Sequence, residues 1–185
     1  MKNRNFPEKQ GLYDPRFEHD SCGVGFVCNI KGKKSHEIIN QGLEALTRLS
    51  HRGATGADPN TGDGAGILIQ LPHEFFYKAC LENNIELPPE GGYGTGLIFL
   101  PRNKKDYNFC KNLFSEIVCR EGQYLLGWRN VPVNDSGIGR TARESEPLIE
   151  QVFIARSKGD PSAYRPQDQE NSSNFLDFER RLYVI

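Results

Sequence analysis

Apolar residues recur with two different spacings in the first third of the chain, and each spacing predicts a type of secondary structure. From 24 to 30 every even position is apolar, which is the period of two typical of a strand. A stripe with helical spacing begins after Ser35, a residue type suited to an N-cap, and ends near Gly53. The stripe consists of Ile38, Ile39, Gly42, Leu43, Leu46 and Leu49. We therefore expect a strand followed by a helix that carries His51 and Arg52 at its C-terminal end.

The remaining pattern predicts further strands and helices separated by polar loops. In order, it predicts a loop at 54–64, a buried strand at 65–71, a helix at 73–84, strands at 94–100, 124–131 and 149–156, and a helix at 103–119 between the first two of these strands. A polar loop containing 137–140, a mobile polar connection at 157–173, a short helix at 174–179 and a strand at 182–185 complete the prediction. This mixture predicts the α+β class. The abrupt end on an apolar strand leads us to expect a truncated piece of a longer polypeptide.

Composition and charge exclude several classes of protein. The 185 residues suit one domain with its own core. A net charge of -1 gives no electrostatic reason to expect nucleic acid or an anionic membrane as a partner. No apolar run approaches the roughly 20 residues of a membrane helix, and the basic N-terminus lacks the apolar core of a secretory signal. We expect a soluble protein.

The five cysteines have the odd count and irregular spacing of free thiols. No Cys-x-x-Cys pair or His-rich spacing predicts a zinc site, so we expect no metal in this chain. Cys80, Cys110 and Cys119 lie on or beside the apolar faces of predicted helices, which favours structural roles. Free thiols in turn indicate a reducing cytoplasm.

Cys22 could carry out a reaction that the other cysteines could not. A cysteine at a new N-terminus would carry a nucleophilic thiol and an α-amino group able to accept the thiol proton at neutral pH. This chemistry requires cleavage of the Ser21–Cys22 bond, so residues 1–21 are predicted to be a propeptide. The ordinary alternative is that Cys22 is a small apolar residue at the start of a strand.

Three motifs favour the reactive interpretation. They are Cys-Gly-Val-Gly-Phe at 22–26, Leu-Ser-His-Arg-Gly-Ala-Thr-Gly-Ala-Asp at 49–58, and Gly-Asp-Gly-Ala-Gly-Ile-Leu-Ile-Gln-Leu at 62–71. Together they resemble the class II glutamine amidotransferase domain, an N-terminal nucleophile hydrolase. The resemblance implies that residues 22–185 form the N-terminal part of that domain, whose fold is a four-layer αββα sandwich, incomplete in this chain.

The resemblance also implies roles for individual residues. Cys22 would attack the side-chain amide of L-glutamine and form a glutamyl thioester, whose hydrolysis yields glutamate and ammonia. Gly23, Arg52 and Gly53 would support the site, Gly23 by allowing close approach of the backbone to the substrate. Arg52 could instead neutralise the dipole at the helix C-terminus. His51 is not needed as a base.

Two aspartates and one absent motif complete the prediction for the site. Asp58 and Asp63 loosely resemble a calcium loop, but the twelfth position holds Ile69 instead of an acidic residue, so we expect turn formers and loop braces. The family builds part of its oxyanion hole from an Asn-Gly pair, and such donors contribute roughly 2.7–4 kcal/mol each. No Asn-Gly pair occurs in the sequence. The resemblance therefore implies little or no activity for the isolated chain.

The resemblance further implies that ammonia passes to a synthase site elsewhere in a full-length enzyme, where 2-oxoglutarate becomes glutamate. No cofactor is expected in this chain, whereas FMN and an iron–sulfur cluster are expected in that enzyme. Its candidate partners are its remaining domains and a small subunit or ferredoxin, in the cytoplasm or, for a plant-type source, a plastid.

Two alternatives stay open at this point. Asparagine synthetase and phosphoribosylpyrophosphate amidotransferase share the cysteine and the His-Arg-Gly element but usually lack the long leader and the 61–66 sequence. A non-catalytic interaction module with unprocessed Cys22 is the other alternative.

Overall fold

A computed structural model describes residues 9–11, 14, 23–50, 53, 58, 60–62, 64–156 and 172–185, with the backbone alone at 172–176. The helices and strands are α1 (His36–Arg48), α2 (His73–Glu82), β1 (Tyr93–Leu100), α3 (Lys104–Arg120), β2 (Tyr124–Asn130), α4 (Arg140–Ser145), β3 (Leu148–Ala155) and α5 (Ser172–Val184). The chain divides into two compact units. The first unit comprises Met1–Gln70 with Gly137–Glu144, and the second comprises Leu71–Ser136 with Ser145–Ile185.

Helix α1 of the first unit confirms the prediction made from the apolar stripe. Ser35 is its N-cap, and the Ser35 hydroxyl accepts a hydrogen bond from the Ile38 amide at 3.4 Å. Glu37 in the first turn and Arg48 in the last turn complement the helix dipole. The helix begins at the predicted N-cap, but it ends at Arg48 with Leu49 as its C-cap, before the predicted end near Gly53.

The two strands predicted for the first unit are wrong. Residues 23–29 and 64–70 belong to no helix or strand, and the second of these segments is exposed instead of buried. Val24 and Phe26 are each 90% exposed and Leu68 is fully exposed. An alternating or apolar pattern marks side chains that require burial, but a strand also needs a neighbour to pair its backbone groups. Among the described residues neither segment has such a neighbour.

The second unit contains a three-stranded antiparallel sheet in the order β1-β3-β2. The register between β1 and β3 runs from Tyr93 opposite Ala155 to Leu100 opposite Leu148. On the other side, β2 pairs with β3 with a register shift between Leu125 and Gly127. These strands confirm the three predicted at 94–100, 124–131 and 149–156.

Both long helices of the second unit also match their predictions. Helix α2 ends two residues before the predicted boundary at 84. Asn103 is the N-cap of α3, and its side-chain oxygen accepts a hydrogen bond from the Lys105 amide at 2.9 Å. The chain turns after α3 at Gly122, whose φ of 72° lies in the left-handed region that favours glycine.

The sheet packs against helices on both faces, which gives two clusters of buried residues. On one face Phe153 packs edge-on against Phe76 of α2, with ring centroids 5.5 Å apart. On the other face Val152 packs against Val118 of α3 and Leu182 of α5. The mixed fold of helices and an antiparallel sheet agrees with the predicted α+β class.

The C-terminal region corrects two predictions. The short helix at 174–179 and the strand at 182–185 are replaced by the single helix α5. Phe178 is buried, and Leu182 and Ile185, which follow it with helical spacing, pack against the cluster of Val118, Val152 and Ile154. Packing therefore outweighs the β-propensity of the last residues. The polar loop predicted around 137–140 contains the start of α4, a helix of six residues. The connection predicted at 157–173 falls largely outside the described residues.

Candidate functional site

The predicted site residues divide into those that the structure describes and those that it does not. Cys22 and Arg52 lie outside the described residues, as do His51 and Asp63. Gly23, Gly53 and Asp58 are described. The geometry of the site is therefore built from the residues that adjoin Cys22 and Arg52 in the sequence.

Gly23 lies against the C-terminal end of α1. A Cβ atom at this position would lie 2.9 Å from Cδ2 of Leu49, so an alanine would require the Leu49 side chain to move. Gly23 directly follows Cys22, and Leu49 is the C-cap of α1, three residues before Arg52. The structure thus joins the beginning of the first motif to the beginning of the second.

The chain leaves α1 through a tight turn. The Leu49 amide donates to the carbonyl groups of Ala45 and Leu46, both at 3.1 Å. The Gly53 amide then donates to the Ser50 carbonyl at 3.1 Å. Gly53 itself is exposed, so it ends the helical turn without entering a core.

The third motif also contacts α1. A Cβ atom at Gly42, in the middle of the helix, would lie 3.2 Å from Cδ1 of Ile67. At the start of this motif Gly64 has a φ of 94°, which favours glycine over any residue with a side chain. Helix α1 therefore contacts described residues of all three motifs, a convergence that sequence spacing did not predict.

Asp58 confirms its predicted role as a turn former and loop brace. Its Oδ1 accepts a hydrogen bond from the Asn60 amide at 3.1 Å, and its Oδ2 accepts one from the Thr61 hydroxyl at 3.2 Å. The Asn60 amide is the main cause that lowers the pKa of Asp58 below its ordinary value, and the amides of Thr141 and Arg140 and the Thr61 hydroxyl act in the same direction against the opposing effect of desolvation. The carboxylate is therefore the form that this turn stabilises.

Sequence reasoning missed the partner of Asp58 that is distant in sequence. The Thr141 amide, 83 positions further along the chain, donates to Oδ2 of Asp58 at 3.4 Å. The Gly-Ile-Gly-Arg segment at 137–140, interpreted from the sequence as part of a polar loop, thus packs against the turn at Asp58. No local signal could have identified this contact, because it joins two loops that are distant in sequence.

The described cysteines other than Cys22 differ in environment. Cys80 is completely buried, which raises the pKa of its thiol and agrees with a structural role. Cys28 and Cys119 are exposed. The structural role predicted for Cys119 therefore has no support from burial. Cys110 is partly buried. Over the described residues no three His, Cys, Asp or Glu side chains converge as a metal site would require.

The family of class II glutamine amidotransferases matches residues 22–185 of this chain. The chain belongs to this family. Within the amidotransferase family, the long leader and the 61–66 sequence specifically predict the N-terminal part of the large subunit of glutamate synthase.

The relatives confirm that more specific resemblance. The chain is 43% identical over 185 residues to the glutamate synthase [NADPH] large chain of Bacillus subtilis, covering 100% of this chain and 11% of the relative. It is 43% identical over 184 residues to the glutamate synthase [NADH] of Saccharomyces cerevisiae, covering 97% of this chain and 8% of the relative. The ferredoxin-dependent glutamate synthase 1 of Arabidopsis thaliana, named as chloroplastic/mitochondrial, is 35% identical over 178 residues, or 96% of this chain and 10% of the relative.

This amidotransferase chain therefore spans about a tenth of the length of these relatives. Among the helices of the described residues, none is long and apolar enough to cross a bilayer.

Proposed function

We propose that this chain forms the glutaminase portion of a glutamate synthase large subunit, with Cys22 as its nucleophile. The observation that carries the proposal is the contact between Gly23 and Leu49. It joins the segment that begins at Cys22 to the helix that leads to Arg52. The family match, which begins at Cys22, supports a mature chain that lacks residues 1–21.

The proposed reaction uses the two groups of an N-terminal cysteine. The free α-amino group of Cys22 accepts the thiol proton, and the thiolate attacks the carbon of the glutamine side-chain amide. The carbon–nitrogen bond breaks, and ammonia leaves with the proton held by the amine. Water then hydrolyses the thioester, which releases glutamate and restores the thiol.

Three neighbouring residues support this chemistry in the proposal. Gly23 allows the substrate to approach the backbone beside the nucleophile, since no side chain intervenes. Arg52 presents guanidinium donors to the substrate carboxylate or to the loop that carries Cys22. Gly53 ends the turn after α1 and so sets the direction in which the chain leaves Arg52.

The proposal includes a four-layer αββα sandwich for the complete domain. One face of the sheet is covered by α3 and α5, while α2 covers the other face only at the end near Phe153. On that second face Leu97 and Phe99 of β1 are 53% and 64% exposed. The incomplete cover supports further layers contributed by chain outside the described residues.

In the complete enzyme the ammonia would convert 2-oxoglutarate to glutamate at a separate synthase site. FMN and an iron–sulfur cluster would lie in regions beyond this chain, and no step of glutamine hydrolysis depends on them. The partners are L-glutamine, the remaining synthase domains, and a small subunit or ferredoxin. The names of the relatives include NADPH, NADH and ferredoxin forms, so they leave the electron donor and the choice between cytoplasm and plastid open.

The decisive test uses the full-length enzyme that carries this sequence. We expect its mature polypeptide to begin at Cys22 by intact-mass measurement. Cys22→Ala should lower glutamine-dependent glutamate formation by at least about a thousandfold, since the nucleophile is lost. Activity with added ammonia should persist, because free ammonia bypasses the glutaminase step. An active enzyme that retains residues 1–21, or a Cys22→Ala variant that still hydrolyses glutamine, would overturn the proposal.

A further inference from the structure

The turn at Asp58 connects two loops through one carboxylate. Oδ1 accepts the Asn60 amide at 3.1 Å, while Oδ2 accepts the Thr61 hydroxyl at 3.2 Å and the Thr141 amide at 3.4 Å. One oxygen therefore holds the turn itself, and the other also holds the first residues of α4. Hydrogen bonds to an ionised acceptor are stronger than those between neutral groups.

Gly139 shows that the two loops meet closely. The Gly139 amide donates to the Asn60 carbonyl at 3.1 Å, and the residue is buried. A Cβ atom at Gly139 would lie 2.1 Å from Oδ2 of Asp58 and 2.4 Å from the Thr61 hydroxyl oxygen. Only glycine fits at this position, so the approach of the loops depends on both Asp58 and Gly139.

We propose that Asp58 is a positioning residue of the glutaminase site, which anchors the turn at Asp58, Asn60 and Thr61 to the backbone at 139–141. This inference rests on the proposed function. Asp58 follows Gly53 by five residues, and five residues of extended chain span no more than about 18 Å. Asp58 follows Arg52 by six positions in the sequence, so loss of the anchor frees the backbone of a turn only a few residues beyond the guanidinium that the proposal assigns to the substrate.

An asparagine at this position cannot reproduce the contacts. Oδ1 and Oδ2 of Asp58 each accept from a backbone amide, that of Asn60 and that of Thr141. In either orientation of an asparagine side chain its NH₂ group would face one of these N–H donors. Asp58→Asn thus keeps the shape of the side chain and removes one half of the anchor.

The first experiment measures the kinetics of Asp58→Asn in the full-length enzyme. We expect the KM for glutamine to rise by between about tenfold and a hundredfold, because a displaced substrate-positioning group weakens binding and alignment. The kcat should change less than KM, and the rate with added ammonia should stay within about twofold of the wild type. Asp106→Asn, the same chemical change at an exposed residue in the first turn of α3, should leave all three quantities unchanged.

The second experiment approaches the same contact from the other loop. Gly139→Ala should raise the KM for glutamine in the same way, because the new methyl group displaces Asp58. Gly137→Ala is the matched control, since a Cβ atom there meets nothing within 4 Å. In each variant the alkylation of Cys22 by a glutamine analogue should slow, while its alkylation by iodoacetamide, which does not need the substrate site, should not.

Several outcomes would overturn the inference. Unchanged glutamine kinetics in both Asp58→Asn and Gly139→Ala would show that the anchor has no effect on the site. An equal fall in the glutamine-dependent and ammonia-dependent rates, with a lower melting temperature, would show a merely structural role. Cys22→Ala in the same enzyme separates the two proposals. If this variant still hydrolyses glutamine, the proposed function is wrong. If it no longer hydrolyses glutamine but Asp58→Asn has normal kinetics, only the inference about Asp58 is wrong.

Discussion

The two units of the chain divide chemistry from packing. The motifs of the amidotransferase family lie in the first unit up to residue 70, whereas every described hydrophobic side chain that is buried lies in the second unit. In the first unit Val24 and Phe26 remain almost fully exposed, while in the second unit Phe153 is completely buried. The motifs by which the family was recognised therefore lie outside the unit that holds the described hydrophobic core.

This difference predicts that similar substitutions have unequal effects in the two units. In the second unit a side chain contacts neighbours on the sheet and on a helix, so its removal leaves a cavity. In the first unit the described contacts include those of α1 with the motif segments and those of Asp58 with the start of α4. Loss of such contacts should alter activity more than the free energy of unfolding.

The largest effect is expected for Phe153→Ala. Phe153 is 0% exposed and packs against Phe76 and Tyr93, so its truncation should lower the free energy of unfolding by about 3–5 kcal/mol. Phe26→Ala is the matched substitution in the first unit, and it should change the free energy of unfolding by no more than about 0.5 kcal/mol. Denaturant unfolding is followed both by fluorescence and by far-UV circular dichroism, because the single tryptophan, Trp128, lies in the second unit whereas α1 of the first unit contributes to the dichroism. A comparable loss in both variants would contradict the division between the units.

A smaller loss is expected when the partly buried ion pair of the second unit is broken. Lys111 Nζ lies 2.7 Å from Oε2 of Glu150 and 4.5 Å from the centroid of the Trp128 ring. Burial alone would lower the pKa of Lys111, but hydrogen bonds from its ammonium group to Glu150 and to the Tyr107 hydroxyl outweigh it and raise the pKa. Glu150→Ala should lower the free energy of unfolding by about 2–3 kcal/mol. The loss is smaller than that expected for a fully buried pair, because the Lys111 side chain is 23% exposed.

The control for this ion pair comes from the first unit. Arg48 and Glu44 form an exposed pair on α1 at 2.6 Å, with side chains 77% and 61% exposed. Glu44→Ala should cost no more than about 0.5 kcal/mol. The double variant Lys111→Met with Glu150→Gln should recover most of the loss, since it leaves no unpaired charge. If the double variant is as unstable as Glu150→Ala, the cost does not arise from a stranded charge.

The smallest expected effect is a dependence on alkaline pH. Burial raises the pKa of Tyr93 from 10.0 to about 12. Its stabilising contribution is fully present below the unfolded-state pKa and is lost as pH rises toward the folded-state value. Between pH 10 and pH 11 this amounts to roughly 1 kcal/mol. Denaturant unfolding at several pH values should show that Tyr93→Phe removes this slope, whereas Tyr183→Phe, at a residue 91% exposed, follows the wild-type curve.

The pKa shifts of Tyr93 and Cys80 have a different main cause from the pKa shift of Asp58. Desolvation is the main cause of the raised pKa of Tyr93 and Cys80 in the second unit. In the first unit, hydrogen bonds lower the pKa of Asp58. An identical pH slope in wild type and Tyr93→Phe would show that burial does not control this tyrosine.

The sequence predicted most of the second unit because its signals are local. The N-cap at Asn103 and the turn at Gly122 each act within a few residues of the structure they specify, and the apolar run at 97–100 lies within β1 itself. The prediction of a strand at 182–185 was wrong because the run from Leu182 to Ile185 has β-propensity. The helical spacing of Phe178 and Leu182 becomes decisive only when these side chains are buried in the folded unit.

In the first unit the sequence predicted the helix α1 but wrongly predicted two strands. The alternation at 24–30 marks apolar side chains, but no pattern in one segment specifies its pairing partner. The bond from Thr141 to Asp58 was equally inaccessible, because it depends on the fold that brings positions 83 apart into contact. Cys22 and Arg52 were chosen by motif resemblance, and their roles stay predictions.

The order of strands in the sheet has a consequence for biosynthesis. The middle strand, β3, is the last of the three to be translated, and within the part of the chain that the structure describes β1 and β2 pair with β3 and not with each other. In a nascent chain that stops before residue 148, β1 and β2 therefore lack the strand with which each of them pairs. At ~5–20 residues per second, the ribosome makes Cys22 on the order of ten seconds before the strand that closes the sheet.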